Sequence, residues 1–379
     1  MFEKLLERKL PPILVRVIIY IYEEQQGCVK LAGVSSASFS ITNGTRQGSV
    51  LSPTLFSVYL DGLLQELRKQ GLGCHIAGVW MGAAGYADDL ALLAPSRETM
   101  KKMLKICEEY GLHHNLVFST DDNPVKSKSK CLFICGKSDN NLPRVLPAPL
   151  QLYGKDLPWV VTATHLGHEL HQSGSMEHDC RVKRAMFINN SLEIRDVFHF
   201  AMPSQVLEAV KLYCLHCYGS MLWDFTGKMT GQFCRSWNTC VKLVNEVPRS
   251  THTFIVEHFL ADDFLPVQTE LFSRYVKFSR SLQTSVSKEV RILASLVSKD
   301  IQSNTGKNLA VIQRICGYNP RSVSPTVIRK HPVKTEVPAL DQWRIPVLDN
   351  WLKLRREMTV NLQNTENISL LIDALCSTH

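Results

Sequence analysis

Two adjacent carboxylates, Asp88 and Asp89, are the side chains of this sequence best suited to chemistry. They stand in the segment Tyr86-Ala87-Asp88-Asp89, between two apolar runs. The runs within Ala83–Ala94 predict two strands around a tight turn. Because neighbouring carboxylates repel each other, such a turn favours a compensating cation. A solvated acidic turn is the alternative interpretation.

Three further segments surround this pair in a fixed order along the chain. Upstream lies Gly44-x-Arg46-Gln47-Gly48-Ser49-x-Leu51-Ser52-Pro53, and downstream lie Asn123-Pro124-x-Lys126-Ser127-Lys128 and His165-Leu166-Gly167-His168. With the segment Leu104–Gly111, these ordered motifs resemble the reverse transcriptases of LINE-type (non-LTR) retrotransposons. In that family a YADD motif forms the palm hairpin, and the RQG and LSP motifs precede a palm helix.

The resemblance implies roles for the hairpin residues. Asp88 would be a direct ligand of a catalytic metal ion, Asp89 a secondary ligand, and Tyr86 would pack near the primer terminus. In-line attack on a nucleoside triphosphate develops charge on the entering and leaving oxygens, which two divalent ions about 3.5–4 Å apart can stabilise. Carboxylates suit hard Mg²⁺, so we expect Mg²⁺, with Mn²⁺ as a substitute, in a nucleotidyltransferase acting on an RNA template, a DNA primer and dNTPs.

The same resemblance assigns Arg46, Gln47 and Gly48 to the template and the incoming nucleotide. Glycine allows close backbone approach to a substrate, and glutamine can both donate and accept hydrogen bonds. A surface charge and an ordinary turn are the alternatives. Lys128 is the candidate for neutralising or protonating the leaving pyrophosphate, but Lys126 and Lys130 compete, since the Lys-Ser-Lys-Ser-Lys spacing allows the motif to slip by two residues.

A polymerase palm also needs a carboxylate on a second strand, which in this family lies upstream of the RQG segment. Residues 1–60 contain no Asp, and Asp61 is the first in the chain. We therefore expect the chain to begin after its first catalytic aspartate and to be incomplete and inactive alone, with a full-length element protein as a further partner. The alternatives are a non-catalytic RNA or RNA–DNA binding remnant, or a remnant without function.

Composition excludes several classes of protein. The 379 residues are 45% hydrophobic and 21% charged, which is typical of globular chains. A net charge of +8 gives a mild bias towards polyanions. The apolar run Ile13–Tyr22 is too short for a membrane span, and no secretory signal is visible, so we expect an intracellular protein, in the nucleus or cytoplasm, with no membrane partner. The 12 cysteines predict reduced thiols, and we expect no zinc at Cys214-x-x-Cys217, which we place within a helix.

The hydrophobic pattern predicts an α+β fold: a partial right-hand palm, with an antiparallel sheet and helices, followed by a mostly α-helical thumb and C-terminal region. We divide the chain into partial fingers and palm (1–140), connector and hinge strands (141–175), a helical thumb region (176–300) and a loosely structured segment (301–379). Among the elements, we expect a helix capped by Ser52 with Pro53 in its first turn, a helix that Gly111 closes, and a strand at Leu116–Phe118.

Overall fold

The computed structural model describes residues 2–41, 44, 48–121, 123, 126–134, 148–215, 217–253, 256 and 267–316. Within them it is a mixture of helices and small sheets, as expected for an α+β protein. The chain divides into two compact units, Met1–Ala163 and Thr164–His379. Among the described residues, none of the helices combines the length and apolarity that crossing a bilayer requires.

Four helices lie among the described residues of the first unit. They are α1 (Phe2–Glu7), α2 (Pro12–Glu23), α3 (Ser52–Lys69) and α4 (Arg97–His113). Pro12 is the first residue of α2, because the fixed φ of proline suits the first turn of a helix. Buried leucines of α3 pack against Met103 and Cys107 of α4 and form the core on which the neighbouring strands rest.

The strands of the first unit form two-stranded sheets. They are β1 (Gln26–Gly27), β2 (Lys30–Leu31), β3 (Val34–Ser35), β4 (Phe39–Ser40), β5 (His75–Ile76), β6 (Val79–Trp80), β7 (Ala83–Tyr86), β8 (Asp89–Leu92), β9 (Cys131–Leu132), β10 (Leu150–Leu152), β11 (Lys155–Leu157) and β12 (Trp159–Val160). The pairs β1–β4, β2–β3, β5–β6, β7–β8 and β10–β11 are antiparallel, and β9–β12 is parallel. Within the described residues, each strand pairs with one other strand only.

Three local predictions for this unit are wrong. Ser52 is the first residue of α3 and Leu51 takes the cap position, since no side-chain cap forms and the Ser52 side chain is buried. The segment Leu116–Phe118 forms no strand. Its Leu116 and Phe118 side chains pack on the core without a ladder partner.

The third wrong prediction is that Gly111 ends α4, because this helix continues past Gly111 to His113. The left-handed conformation after the helix falls on Asn115, at φ 50°. A Cβ on Gly111 would lie 2.5 Å from the carbonyl oxygen of Leu116 and would also meet the hydroxyl of Tyr153. The glycine therefore serves close packing rather than helix termination.

Replacing Gly111 with alanine tests this explanation. We expect Gly111→Ala to lower the free energy of unfolding by about 1–3 kcal/mol, the usual cost of overpacking, in urea denaturation. Gly231→Ala is the matched control, because its Cβ would meet only Arg235 Nη1 at 3.7 Å. There the helix should gain roughly 0.5–1 kcal/mol. Equal effects of the two substitutions would contradict the explanation.

The second unit opens with a hairpin and continues as helices. Its elements are β13 (Thr162–His165), β14 (His168–His171), α5 (Glu177–Val197), α6 (Pro203–Tyr213), a 3-10 turn (Ser220–Leu222), α7 (Lys228–Val244), α8 (Val267–Gln283), α9 (Lys288–Lys299) and α10 (Asn304–Cys316). The prediction of mainly helical structure after Ser175 is confirmed for the described residues. Fully buried Trp223 and Trp237 lie in its largest core cluster.

Asp179 is a completely buried carboxylate in this unit. It accepts hydrogen bonds from Lys183 Nζ at 2.8 and 3.0 Å, from Trp223 Nε1 at 2.8 Å and from the Glu169 amide at 3.0 Å. His168 Nδ1 lies 3.9 Å away, and burial is the main cause of the lowered pKa of that imidazole. The carboxylate therefore joins α5, the β14 strand and the segment that precedes α7.

Removal of the Asp179 charge should destabilise the second unit strongly. Asp179→Asn leaves the ammonium of Lys183 without its partner, and breaking a buried pair in this way costs about 3–5 kcal/mol. Urea unfolding followed by tryptophan fluorescence measures the loss. The control Asp196→Asn removes an exposed carboxylate of the same helix and should cost less than about 1 kcal/mol. A similar cost for both would contradict the role of Asp179.

Cys214 and Cys217 do not lie within one helix, which corrects the sequence prediction. α6 ends at Tyr213, and Cys217 has a left-handed φ of 41° in the following turn. Both thiols are buried. Burial raises the pKa of Cys214 to about 11 and that of Cys217 to about 12.

Candidate functional site

The Asp88 and Asp89 carboxylates lie at the tip of the β7–β8 hairpin. The strands pair from Ala83 with Leu92 to Tyr86 with Asp89, which leaves Ala87 and Asp88 as a two-residue turn. The tight turn predicted from the sequence is therefore confirmed, with Asp89 as the first residue of β8.

Helix α3 determines which way the hairpin faces. A Cβ on Gly85 would lie 3.4 Å from Leu64 Cδ1 and 3.6 Å from Leu60 Cδ2, so the strand lies directly on this helix. Leu90 and Leu92 of β8 pack on the same core. Both distances are ordinary van der Waals contacts, so the strand rests on the leucine face of α3 with room for a methyl group at position 85.

The candidate site lies on the opposite side of the hairpin. Side chains alternate between the two faces of a strand, and directly paired residues share a face. Since the Gly85–Leu90 pair faces α3, the next pair, Tyr86 and Asp89, faces away from it. The Tyr86 side chain is 68% exposed, and Asp88 and Asp89 are both exposed. The two carboxylates are therefore accessible to a cation or a substrate from solvent.

The turn between β7 and β8 differs from the other described hairpin turns in the residue at its second position. Four described two-residue turns place a residue and then a glycine at positive φ: Ala32-Gly33, Ala77-Gly78, Tyr153-Gly154 and Leu166-Gly167. The turn between β7 and β8 has Ala87 at φ 51° followed by Asp88, which does not have positive φ. A left-handed alanine costs roughly 1–2 kcal/mol. Ala32 and Ala77 share this conformation, so the feature that distinguishes the β7–β8 turn is Asp88 in place of the glycine.

Two carboxylates alone do not complete a metal site. No group of three or more His, Cys, Asp or Glu side chains in the described part of the chain is arranged to hold a metal ion. Asp88 and Asp89 supply the hard oxygen donors that Mg²⁺ prefers, and Mg²⁺ usually retains waters or substrate oxygens at its other positions. The pair fits part of a magnesium site.

Of the three residues Arg46, Gln47 and Gly48, the structure describes only Gly48. Arg46 and Gln47 lie outside the described residues. Gly48 has φ 80°, and no atom lies within 4 Å of the position that its Cβ would occupy. The backbone conformation by itself therefore favours glycine here.

The three candidate lysines lie in one exposed loop before β9. Lys126, Lys128 and Lys130 are all exposed, whereas Ser127 is 2% exposed and donates a hydrogen bond to the Ser129 carbonyl at 2.7 Å. The alternation directs each lysine to solvent. Exposure does not distinguish Lys128 from its two neighbours, so its assignment stays a prediction.

The sequence reasoning missed a network that holds α3 in place beneath the hairpin. Lys4 Nζ donates hydrogen bonds to the Tyr59 carbonyl at 3.1 Å and to Tyr110 Oη at 2.7 Å, and Tyr110 Oη donates to the Tyr59 carbonyl at 2.6 Å. Gly62 leaves room for the ammonium, because a Cβ there would lie 2.6 Å from it. Isolated residues of three helices carry no sequence pattern that reveals this contact.

Relief of the strained turn is measurable. Ala87→Gly should raise the free energy of unfolding by about 1 kcal/mol, because glycine adopts positive φ without a steric cost. Ala91→Gly in β8 is the control and should lower stability by roughly 0.5–1 kcal/mol, since it adds chain entropy at an ordinary strand position. Loss of stability in both variants would contradict a strained Ala87.

Comparison with known proteins identifies the region that carries this hairpin. Residues 1–146 match the family model of the reverse transcriptase (RNA-dependent DNA polymerase). The retrovirus-related Pol polyprotein from type-1 retrotransposable element R2 of Nasonia vitripennis is 30% identical over 106 residues, which are 28% of this chain and 10% of that protein. The Pol polyprotein from type-2 retrotransposable element R2DM of Drosophila melanogaster is 38% identical over 72 residues, or 19% of this chain and 7% of that protein.

These matches span a tenth or less of the relatives' own lengths. The family match includes the β7–β8 hairpin, and the relatives agree with the motifs found in the sequence. The N-terminal region of the chain, residues 1–146, is thus similar to reverse transcriptases, in agreement with the resemblance of its motifs to the enzymes of LINE-type (non-LTR) retrotransposons.

Proposed function

We propose that the β7–β8 hairpin supplies the metal-binding carboxylates of an RNA-directed DNA polymerase. The observation that supports this most directly is the pair Asp88 and Asp89, exposed at a strained turn in a region of reverse transcriptase sequence. A divalent ion bound there would stabilise the charge that develops on the attacking and leaving oxygens. Asp88 and Asp89 hold the ion, and Tyr86 packs near the primer terminus.

The partners in this proposal are an RNA template, a DNA primer and dNTPs. Arg46, Gln47 and Gly48 contact the template and the incoming nucleotide, and Lys128 neutralises the leaving pyrophosphate. The first unit acts as part of a palm, and the helices of the second unit act as a thumb. A further carboxylate completes the metal site, and a full-length element protein is one source of it.

The ligand set at the hairpin tip, which comprises two carboxylates among the described residues, favours a second candidate function. Within the described residues only Asp88 and Asp89 meet at the hairpin tip, and no larger cluster of ligand side chains forms. A chain that binds RNA or an RNA–DNA hybrid without catalysis would need no further ligand. The two functions differ in whether the bound primer is extended.

Primer extension separates them once the further carboxylate is supplied. For the chain fused at its N-terminus to the segment of a full-length element protein that carries this carboxylate, on an RNA template with an annealed DNA primer, dNTPs and Mg²⁺ or Mn²⁺, we expect metal-dependent extension that Asp88→Asn reduces at least about 10³-fold. That factor corresponds to about 4 kcal/mol of lost transition-state stabilisation. Affinity for the primer–template, measured in EDTA, should stay unchanged.

The matched control is Asp156→Asn, which removes an exposed carboxylate from another hairpin of the first unit. It should leave extension unchanged. Binding of the primer–template without extension by the fused chain that retains Asp88 would support the non-catalytic function instead. Equal loss of activity in both variants would argue against a special role of Asp88.

A further inference from the structure

A groove between α5 and α7 of the second unit is lined by four arginines. Its volume is about 300 Å³. The arginines that define it, which we call the arginine groove, are Arg184, Arg195, Arg235 and Arg249. No Asp or Glu of the described residues is among its lining side chains. A concave surface of one charge attracts groups of the opposite charge.

The helices α5 and α7 run in the same direction along the groove. Arg184 Nε of α5 donates a hydrogen bond to Ser236 Oγ of α7 at 2.7 Å. Further along both helices, the side chains of Ser191 and Cys240 are hydrogen-bonded to each other. Since Arg235 directly precedes Ser236, Arg184 and Arg235 belong to the same end of the groove.

The other two arginines belong to the opposite end. Arg195 lies 11 residues after Arg184 on α5, which is about 16 Å at 1.5 Å per residue. Arg249 follows the end of α7, and the buried Lys242 Nζ donates a hydrogen bond to its carbonyl at 3.3 Å. Arg195 also donates to the neighbouring Asp196 at 3.1 and 2.7 Å, so its charge is partly balanced. Each end of the groove therefore carries a pair of guanidinium groups.

Apolar side chains line the stretch between the two ends. Ile188 and Leu192 lie about one and two helical turns after Arg184 on α5. Along its length, the lining is therefore basic, then apolar, then basic. A complementary occupant has the order acidic, apolar, acidic. A nucleic acid strand does not, because it repeats its charge about every 3.4 Å.

The chain itself contains a segment with the complementary order. Residues 357–379, which lie outside the described residues, contain Glu357, Glu366 and Asp373 and no Lys or Arg. The apolar residues between Glu366 and Asp373 are Ile368, Leu370, Leu371 and Ile372. The seven steps from Glu366 to Asp373 cover about 11 Å in a helix and about 23 Å in an extended chain. This range includes the 16 Å or so between the ends of the groove.

The charge of this acidic segment differs from that of the chain before it. Residues 317–356, which join it to the end of α10 at Cys316, contain eight Lys or Arg and three Asp or Glu residues. These 40 residues span at most about 130–145 Å when extended. The acidic segment can therefore reach a groove of its own chain, and the covalent link makes the encounter intramolecular.

We propose that the acidic segment, residues 357–379, docks into the arginine groove of its own chain. Glu366 pairs with the guanidinium groups at one end and Asp373 with those at the other, since arginine forks pair with carboxylates through two parallel hydrogen bonds. The apolar residues between them cover Ile188 and Leu192. This docking requires no metal ion, primer or nucleotide, so it does not depend on the proposed polymerase function.

Modification of arginine side chains by phenylglyoxal tests the docking in the full chain, freed of nucleic acid. Mass spectrometry of the digested protein gives a rate for each arginine. The variant Glu366→Gln with Asp373→Asn removes both carboxylates and keeps the side-chain size. In it, Arg235 and Arg249 should react at least about fivefold faster than in the unsubstituted chain. That factor corresponds to about 1 kcal/mol, the contribution of one or two exposed ion pairs.

Two controls separate docking from a general effect of charge. Arg280 of α8 is exposed outside the groove, and its rate should be the same in both proteins. The variant Asp262→Asn with Asp263→Asn removes the same charge from another acidic stretch and should leave the rates of the groove arginines unchanged. Equal acceleration of Arg280, or equal acceleration in this control variant, would overturn the proposal.

The variant Leu371→Ser with Ile372→Ser tests the apolar part of the contact. It keeps every carboxylate, and it should also accelerate the reaction of Arg235 and Arg249, because the apolar surface between the ends is then no longer covered by aliphatic side chains. Unchanged rates would overturn the docking in favour of charge screening alone. Protection that disappears on dilution of the protein would also overturn it, because a second copy would then fill the groove.

Discussion

The contact between Gly85 and the leucine face of α3 determines how the candidate site is presented. It places one face of the β7–β8 hairpin against the apolar core, and strand alternation then directs Tyr86 and Asp89 to the other face. A side chain longer than that of alanine at position 85 would have to displace Leu60 or Leu64, because a Cβ there already lies at contact distance from both. The network of Lys4, Tyr59 and Tyr110 holds α3 itself, so the direction of the carboxylates depends on helix packing across the first unit.

The second unit is organised around buried polar groups as well as aromatic packing. Asp179 satisfies an amide, an ammonium and an indole N–H at once. A buried charge is tolerated only when it is paired and hydrogen-bonded, and here the pairing also joins separate elements. The same helix α5 carries Asp179 near its start and then presents Arg184 and Arg195 to the groove, which links the core of the unit to its charged surface.

Most of the local structure of the candidate site could be predicted from the sequence. The Tyr86-Ala87-Asp88-Asp89 turn and the apolar face of α3 follow from short patterns, because strand and helix periodicities depend on neighbouring residues. Gly111 and the segment Leu116–Phe118 could not be predicted correctly. A glycine after a periodic run usually ends a helix, but the reason for Gly111 is its contact with Leu116 and Tyr153, which only the folded chain brings together.

The sequence by itself determined the motif order, the acidic hairpin, the basic balance of charge and the resemblance to LINE-type reverse transcriptases. Tertiary structure decided which face of the hairpin is open and that Asp179 meets Lys183 and Trp223. It also decided that Arg184, Arg195, Arg235 and Arg249 line one groove. The physical reason is the distance along the chain between the residues that make each contact. Turns and helices arise from contacts a few residues apart, whereas a site built from isolated arginines or a single buried carboxylate exists only after distant elements have packed.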